Sequence, residues 1–171
     1  GTGNGEFSAT GGLALAADSS NNVYVVDGGN YRVQKFNSSG AYQAQWGTQG
    51  TNPGQFAGPL AVTVNSANQV YVLDMEGEGV AVEKFSNTGT YLTKADLSSN
   101  PPVVSIAAES GNYLVGTNIN PNNSVSQLVR IQDTTTLSID TTSLPNGAVG
   151  SSYSQIVATS GQQGSITYSI S

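Results

Sequence analysis

With 171 residues, the chain is long enough for one ordinary domain or slightly more, and its 37% hydrophobic content supports a core. Charged residues reach only 9%, against roughly 25% in average soluble proteins; a net charge of -6 with five scattered bases argues against nucleic acid as a partner. The absence of cysteine excludes a disulfide framework, a thiolate metal site and covalent haem attachment, and the absence of histidine removes the commonest general base and zinc ligand.

The chain opens on a glycine-rich stretch, Gly1-Thr2-Gly3-Asn4-Gly5-Glu6-Phe7, with the sense of a connecting loop. No Lys or helix follows it, so it is no phosphate loop. Gly1 reads as a mature or truncated end, without a charged-then-apolar leader. Four strand-like runs follow, at 13–17, 22–27, 31–37 and 41–46, separated by Asp18-Ser19-Ser20-Asn21, Gly28-Gly29-Asn30 and Ser38-Ser39-Gly40. Short polar side chains and glycine in those gaps bond their own backbone or accept left-handed conformations, which is turn chemistry. Four short antiparallel strands joined by tight turns make one blade-like sheet.

The same plan returns 47 to 49 residues later. Val23-Tyr24-Val25-Val26-Asp27 comes back as Val70-Tyr71-Val72-Leu73-Asp74, and Lys35-Phe36 as Lys84-Phe85. Strands are expected at 60–64, 69–74, 80–86 and 90–94, with Met75-Glu76-Gly77-Glu78-Gly79 inserted as a longer loop after the second. A third, weaker repeat offers runs at 103–108, 112–116 and 126–132 and no convincing fourth strand. Periods of about 40–50 residues with four strands each mark propeller blades.

The run Asp27-Gly28-Gly29-Asn30-Tyr31-Arg32-Val33-Gln34-Lys35-Phe36, with Val23-Tyr24-Val25 before it and Gly40 after, closely resembles the NHL repeat. The resemblance covers residues 1–133, most strongly 1–96, and implies a β-propeller; the structural repeat motif would be Asp27, Asn30, Arg32 and Phe36, with Asp74 and Phe85 in the second repeat. Ala81 stands where Arg32 stood. Amidating lyases among the relatives of NHL propellers use zinc and histidine, and this chain has no histidine. Other NHL propellers bind RNA through a basic face, which the charge pattern here lacks.

After Thr134-Thr135-Thr136 the texture changes, and Leu144-Pro145-Asn146-Gly147 with Gly150-Ser151-Ser152-Tyr153 resembles the opening of a bacterial, cadherin-related immunoglobulin-like domain. The expected fold is therefore all-β. Four-stranded antiparallel propeller-type blades at 1–47, 48–96 and 97–133 (two clear, one degenerate) are followed by an incomplete immunoglobulin-like β-sandwich at 134–171. Propellers close with four to eight blades, so this chain would not close a ring alone. Either it is a segment of a longer polypeptide, or copies complete one another through open strand edges.

Candidate chemistry is sparse. Asp27 and Asp74 end equivalent strands, as metal ligands or acid–base groups on one reading and as carboxylates fastening the turn on the other. Asp74, Glu76 and Glu78, with Glu83 near, loosely imitate a calcium loop, against the alternative of a solvated hairpin. Arg32 would contact a channel ligand or a neighbouring blade. Trp46, Tyr24, Tyr31, Tyr42, Tyr71 and Tyr91 would stack on a sugar or pack between blades. Asn37 and Asn122 fit the N-x-Ser/Thr glycan acceptor pattern. No Ser–His pair and no G-x-S-x-G elbow occurs.

These features point to a secreted, non-enzymatic structural or protein-interaction module, extracellular or on the cell surface, assembling into a fibre or surface layer. It would need no cofactor and have no membrane span, since no apolar run reaches the ~20 residues required. Its partners would be copies of itself or another surface protein. The alternative is a fragment of a larger ligand-binding or enzymatic NHL propeller.

Overall fold

The structure, a computed structural model, describes residues 1–77, 79–97, 103–109, 113–119 and 126–132. The immunoglobulin-like segment expected at 134–171 lies outside the described residues. Every sheet is antiparallel. The first contains β1 (Leu13–Ala17), β2 (Val23–Asp27), β3 (Arg32–Phe36) and β4 (Tyr42–Trp46), hydrogen-bonded in chain order. The second repeats that order with β5 (Pro59–Val64), β6 (Val70–Glu76), β7 (Gly79–Phe85) and β8 (Tyr91–Asp96). The third has β9 (Val103–Glu109), β10 (Tyr113–Ile119) and β11 (Ser126–Gln132), with no fourth strand among the described residues.

Side-chain hydrogen bonds build the same turn twice. Asp18 Oδ1 accepts from the backbone N–H groups of Ser20 and Asn22, both at 2.9 Å, and Oδ2 accepts from the Tyr24 hydroxyl at 3.0 Å. In the second sheet Asn65 Oδ1 accepts from Ala67 (3.0 Å) and Gln69 (2.9 Å), while its amide donates to the Tyr71 hydroxyl at 2.9 Å. Asn21 and Asn68 take φ of 60° and 59° at these turns, the left-handed conformation that asparagine tolerates.

The insertion after the second strand is not the loop its composition predicts. Met75 and Glu76 continue β6, pairing with Val80 and Gly79 of β7. Two extra residues prolong a two-stranded ladder without moving its core register, and Gly77 turns the chain at φ 62°.

Alternation along the strands gives each sheet two faces. In the first sheet Ala14, Ala16, Tyr24, Val26, Val33 and Trp46 face the second sheet. They meet Val62, Val70, Val72 and Phe85, with Phe56 of the leading loop buried between the sheets. The other face of the second sheet, through Tyr71, Leu73 and Val82, packs on Ile106, Leu114 and Ile131 of the third. Each large apolar side chain so buried contributes about 1.5–3 kcal/mol. The first strands β1, β5 and β9 lie side by side, as the innermost strands of consecutive propeller blades do.

Candidate functional site

The two clear blades carry equivalent polar nodes, each formed where a leading loop crosses the sheet. Residues 1–7 lie over β2 and β3, and residues 50–56 lie over β6 and β7. The loops share their internal bonds: Glu6 N–H donates to Gly3 O at 3.1 Å, and Gln55 N–H to Asn52 O at 2.8 Å. Gly5 N–H donates to Gln34 Oε1 and Gly54 N–H to Glu83 Oε2, both at 2.9 Å.

In the first blade a guanidinium fills the node. Arg32 Nε donates to Asp27 Oδ2 at 3.0 Å. Its Nη1 donates to Thr2 O (2.8 Å) and Gln45 Oε1 (2.7 Å), and its Nη2 to Gly3 O (3.0 Å) and Glu6 O (2.8 Å). Asp27 also accepts from Ser8 N–H (3.0 Å) and Asn30 Nδ2 (2.7 Å). Burial pushes the Asp27 carboxyl up, but the bonds from Asn30, Ser8 and Arg32 outweigh it and hold it below the ordinary carboxylate range.

The second node is acidic. Asp74 accepts from the Ala57 and Gly58 N–H groups at 2.9 and 2.7 Å. Ala81 lies opposite it, where Arg32 lies opposite Asp27. Lys94 enters instead from β8, at the register position of Gln45, and its Nζ donates to Glu76 Oε1. Glu83 is fully buried, and its Oε1 has no hydrogen-bond partner. Desolvation pushes its carboxyl up to about 7, against the opposing pull of Gly54 N–H and Lys94. Burial raises Asp74 too, more than its two backbone bonds lower it. Lys94 is shifted upward, because the Glu76, Glu83 and Asp74 charges outweigh its own desolvation.

One carboxylate oxygen from each of Asp74, Glu76 and Glu83 lies within 4.8 Å of the others. Glu78 lies outside the described residues, as does Asn122. Asn37 sits in the β3–β4 turn, where its Oδ1 accepts from Ser39 N–H (3.0 Å), Ser39 Oγ (2.7 Å) and Ala41 N–H (2.9 Å). The aromatic residues do not form one platform. Tyr24 and Tyr71 are fully buried, Trp46 packs against Tyr24 and Phe85 at 6.2 and 5.9 Å between centroids, and Tyr91 packs edge-on to Phe85. Phe36 packs against Phe7 and Tyr42 on the opposite face of its sheet. Sequence reading gives Gln34, Gln45 and Lys94 no site role, and Asp18 only that of a turn residue. Each is visible only as one member of a repeated pair, such as Gln34 with Glu83 at an offset of 49.

The family model described as NHL repeat matches residues 13–36. No curated protein matches the chain. Among solved structures, a candidate exported protein from Bacteroides fragilis aligns at TM-score 0.57 and 18% identity, over 75% of this chain and 37% of its own. A luciferin-regenerating enzyme aligns at 0.49 and 20%, over 69% and 40%, and streptogramin B lyase at 0.47 and 15%, over 67% and 39%. At these identities the likeness shows the fold alone, an all-β arrangement of propeller-type blades. The chain spans about two fifths of the length of these structures.

The expectation that the chain is not an enzyme is corrected to a statement of fold alone: a luciferin-regenerating enzyme and a lyase are among the structures similar to it, and a likeness at 15–20% identity assigns no activity to the chain in either direction. The physical reason is that fold does not decide chemistry, and the composition of a few blades does not describe a site assembled from a whole propeller.

Proposed function

We propose that the chain is a protein-interaction module that associates head to tail with a second copy through the free faces of its first and third blades. The observation that carries this reading is a complementarity repeated inside the chain. At the first internal interface Ala14 and Ala16 of β1 meet the larger Val62 and Val64 of β5. At the second, Ala61 and Thr63 of β5 meet Ile106 and Ala108 of β9, where Ala108 N–H donates to Thr63 Oγ1 at 2.9 Å. The first blade turns large residues outward, with Leu13 57% and Leu15 72% exposed. The third exposes the small Ser105 and Ala107, with Val104 41% exposed at the register shift beside them.

Leu15 holds the register position of Val62, which is 6% exposed under the first blade. A small-faced blade laid on Leu15 repeats the internal interface and removes apolar surface from water. Such a contact is heterologous, so it closes a ring or extends as a filament according to its rotation. Low charge limits repulsion between copies. A setting outside the cytoplasm is part of the reading, supported by the neutral polar surface and by the likeness to a candidate exported protein. A second reading is favoured by coverage: the chain is a portion of a larger ligand-binding or enzymatic propeller, as its span of about two fifths of matched structures allows.

Light scattering after size exclusion, over a range of concentrations, tests the first reading. Oligomers that Leu15→Asp dissolves are the expected result. A wild-type monomer at every concentration overturns it.

A further inference from the structure

The second blade's polar node lacks the cation that the first blade's node is built around. In the first node the Arg32 guanidinium binds Asp27 and the carbonyls of Thr2, Gly3 and Glu6. In the second the carboxylate is kept as Asp74, and the loop repeats as Thr51, Asn52 and Gln55. Ala81 removes the guanidinium. Two further acids, Glu76 and Glu83, then bring oxygens within 4.8 Å of Asp74. The node has exchanged the central guanidinium for the Lys94 ammonium at its rim and has gained two carboxylates.

Glu83 makes the mismatch specific. Its counterpart Gln34 accepts from Gly5 N–H and, through Nε2, donates to Glu6 O at 2.7 Å. Glu83 keeps the first bond, from Gly54 N–H at 2.9 Å. Where the amide NH2 of Gln34 is a donor, Glu83 offers a second acceptor, and that oxygen is buried without a partner. A buried, unpartnered carboxylate oxygen destabilises the fold unless a proton or a cation meets it.

We propose that Asp74, Glu76 and Glu83 bind a divalent cation of the calcium class at the place of the absent guanidinium. The side chains supply only carboxylate oxygen, and the leading loop whose carbonyls meet the guanidinium in the first node is repeated here in sequence as Thr51, Asn52 and Gln55. This hard-oxygen set suits calcium, which takes 6–8 such ligands in flexible geometry. Lys94, bonded to Glu76, is the chain's own monovalent occupant, one ammonium against three carboxylates. The Lys94 and Glu76 side chains keep 22% and 20% of their surface exposed, so the lysine lies at the rim and can withdraw into water as the ion enters.

The test is calcium titration of the chelator-treated chain, read by calorimetry and by thermal melting, to about 1 mM, the weak end of extracellular calcium modules. Saturable heat and a rise in Tm are expected for the wild type. Glu83→Gln, which copies the first blade, is expected to stay folded by circular dichroism and to lose the calcium response. Lys94→Gln is expected to tighten binding about tenfold by removing the competitor. No saturable response in the wild type overturns the proposal and leaves a proton on Glu83. A response that Glu83→Gln retains also overturns it, since the ion then sits elsewhere.

Discussion

Asp27 and Arg32 face each other across β2 and β3 in a buried ion pair, Nε to Oδ2 3.0 Å, and the guanidinium reaches on to three carbonyls of the leading loop. One side chain thus ties the loop, two strands and, through Gln45, the outermost strand β4. The planar five-donor fork of arginine makes this possible, and a point-charge ammonium does not reproduce it.

Arg32→Ala leaves Asp27 charged, buried and short of its cation, and frees the loop carbonyls. The expected cost is about 3–5 kcal/mol, read as a lower denaturation midpoint. Arg32→Lys recovers only a minor part of it.

In cation-free buffer Glu83 sets the acid-side behaviour. Its carboxyl rises from 4.5 when unfolded to about 7 when folded, so between those values the folded chain holds a proton that the unfolded chain has released. This contribution is full below about pH 4.5 and is lost as pH climbs through 7; the raised Asp74 acts in the same direction. Asp74, Glu76, Lys94 and Tyr91 are the titratable groups coupled to Glu83. Asp18 and Asp27, held below the ordinary range, contribute above it and lose their contribution as acid titrates them. Melting temperature against pH is expected to peak on the acid side of neutrality, and Glu83→Gln to flatten the fall toward pH 7. An unchanged slope in that variant counts against the assignment.

Leu15 and Val62 share a register position but not an environment. Val62→Ala is expected to cost about 2 kcal/mol, from two lost methyl groups and the cavity they leave. Leu15→Ala is expected to stay within about 0.5 kcal/mol in the monomer, as urea melts of dilute samples will show.

Gly47 joins the first blade to the loop of the second at φ 100°. A Cβ there would lie 2.4 Å from the Phe56 ring and 2.8 Å from Tyr31 O. Gly47→Ala is expected to lower stability by about 1–3 kcal/mol, whereas Gly40→Ala, with open space around it, incurs only the backbone strain of φ 81°.

Much of the fold is legible along the chain. β-Branched and aromatic residues in Val23–Asp27 and at 70–74, with Asp18 and Asn65 ahead of them, mark strands and turns because strand preference and turn chemistry are local properties. The loop expected after Asp74 fails for a reason equally physical: ladder pairing of Met75 and Glu76 outweighs the turn-rich composition of the insertion.

By itself the sequence determines the repeat, the order of strands and the exchange of Arg32 for Ala81 and of Gln34 for Glu83. It does not determine what those exchanges do. The partners of Arg32 and Glu83 are backbone carbonyls and N–H groups of loops some 26 to 30 residues away, and backbone groups leave no trace in residue identity. Only the stacking of one sheet on the next decides that Leu15 is bare while Val62 is covered, because burial belongs to the neighbouring face and not to the strand that carries the residue.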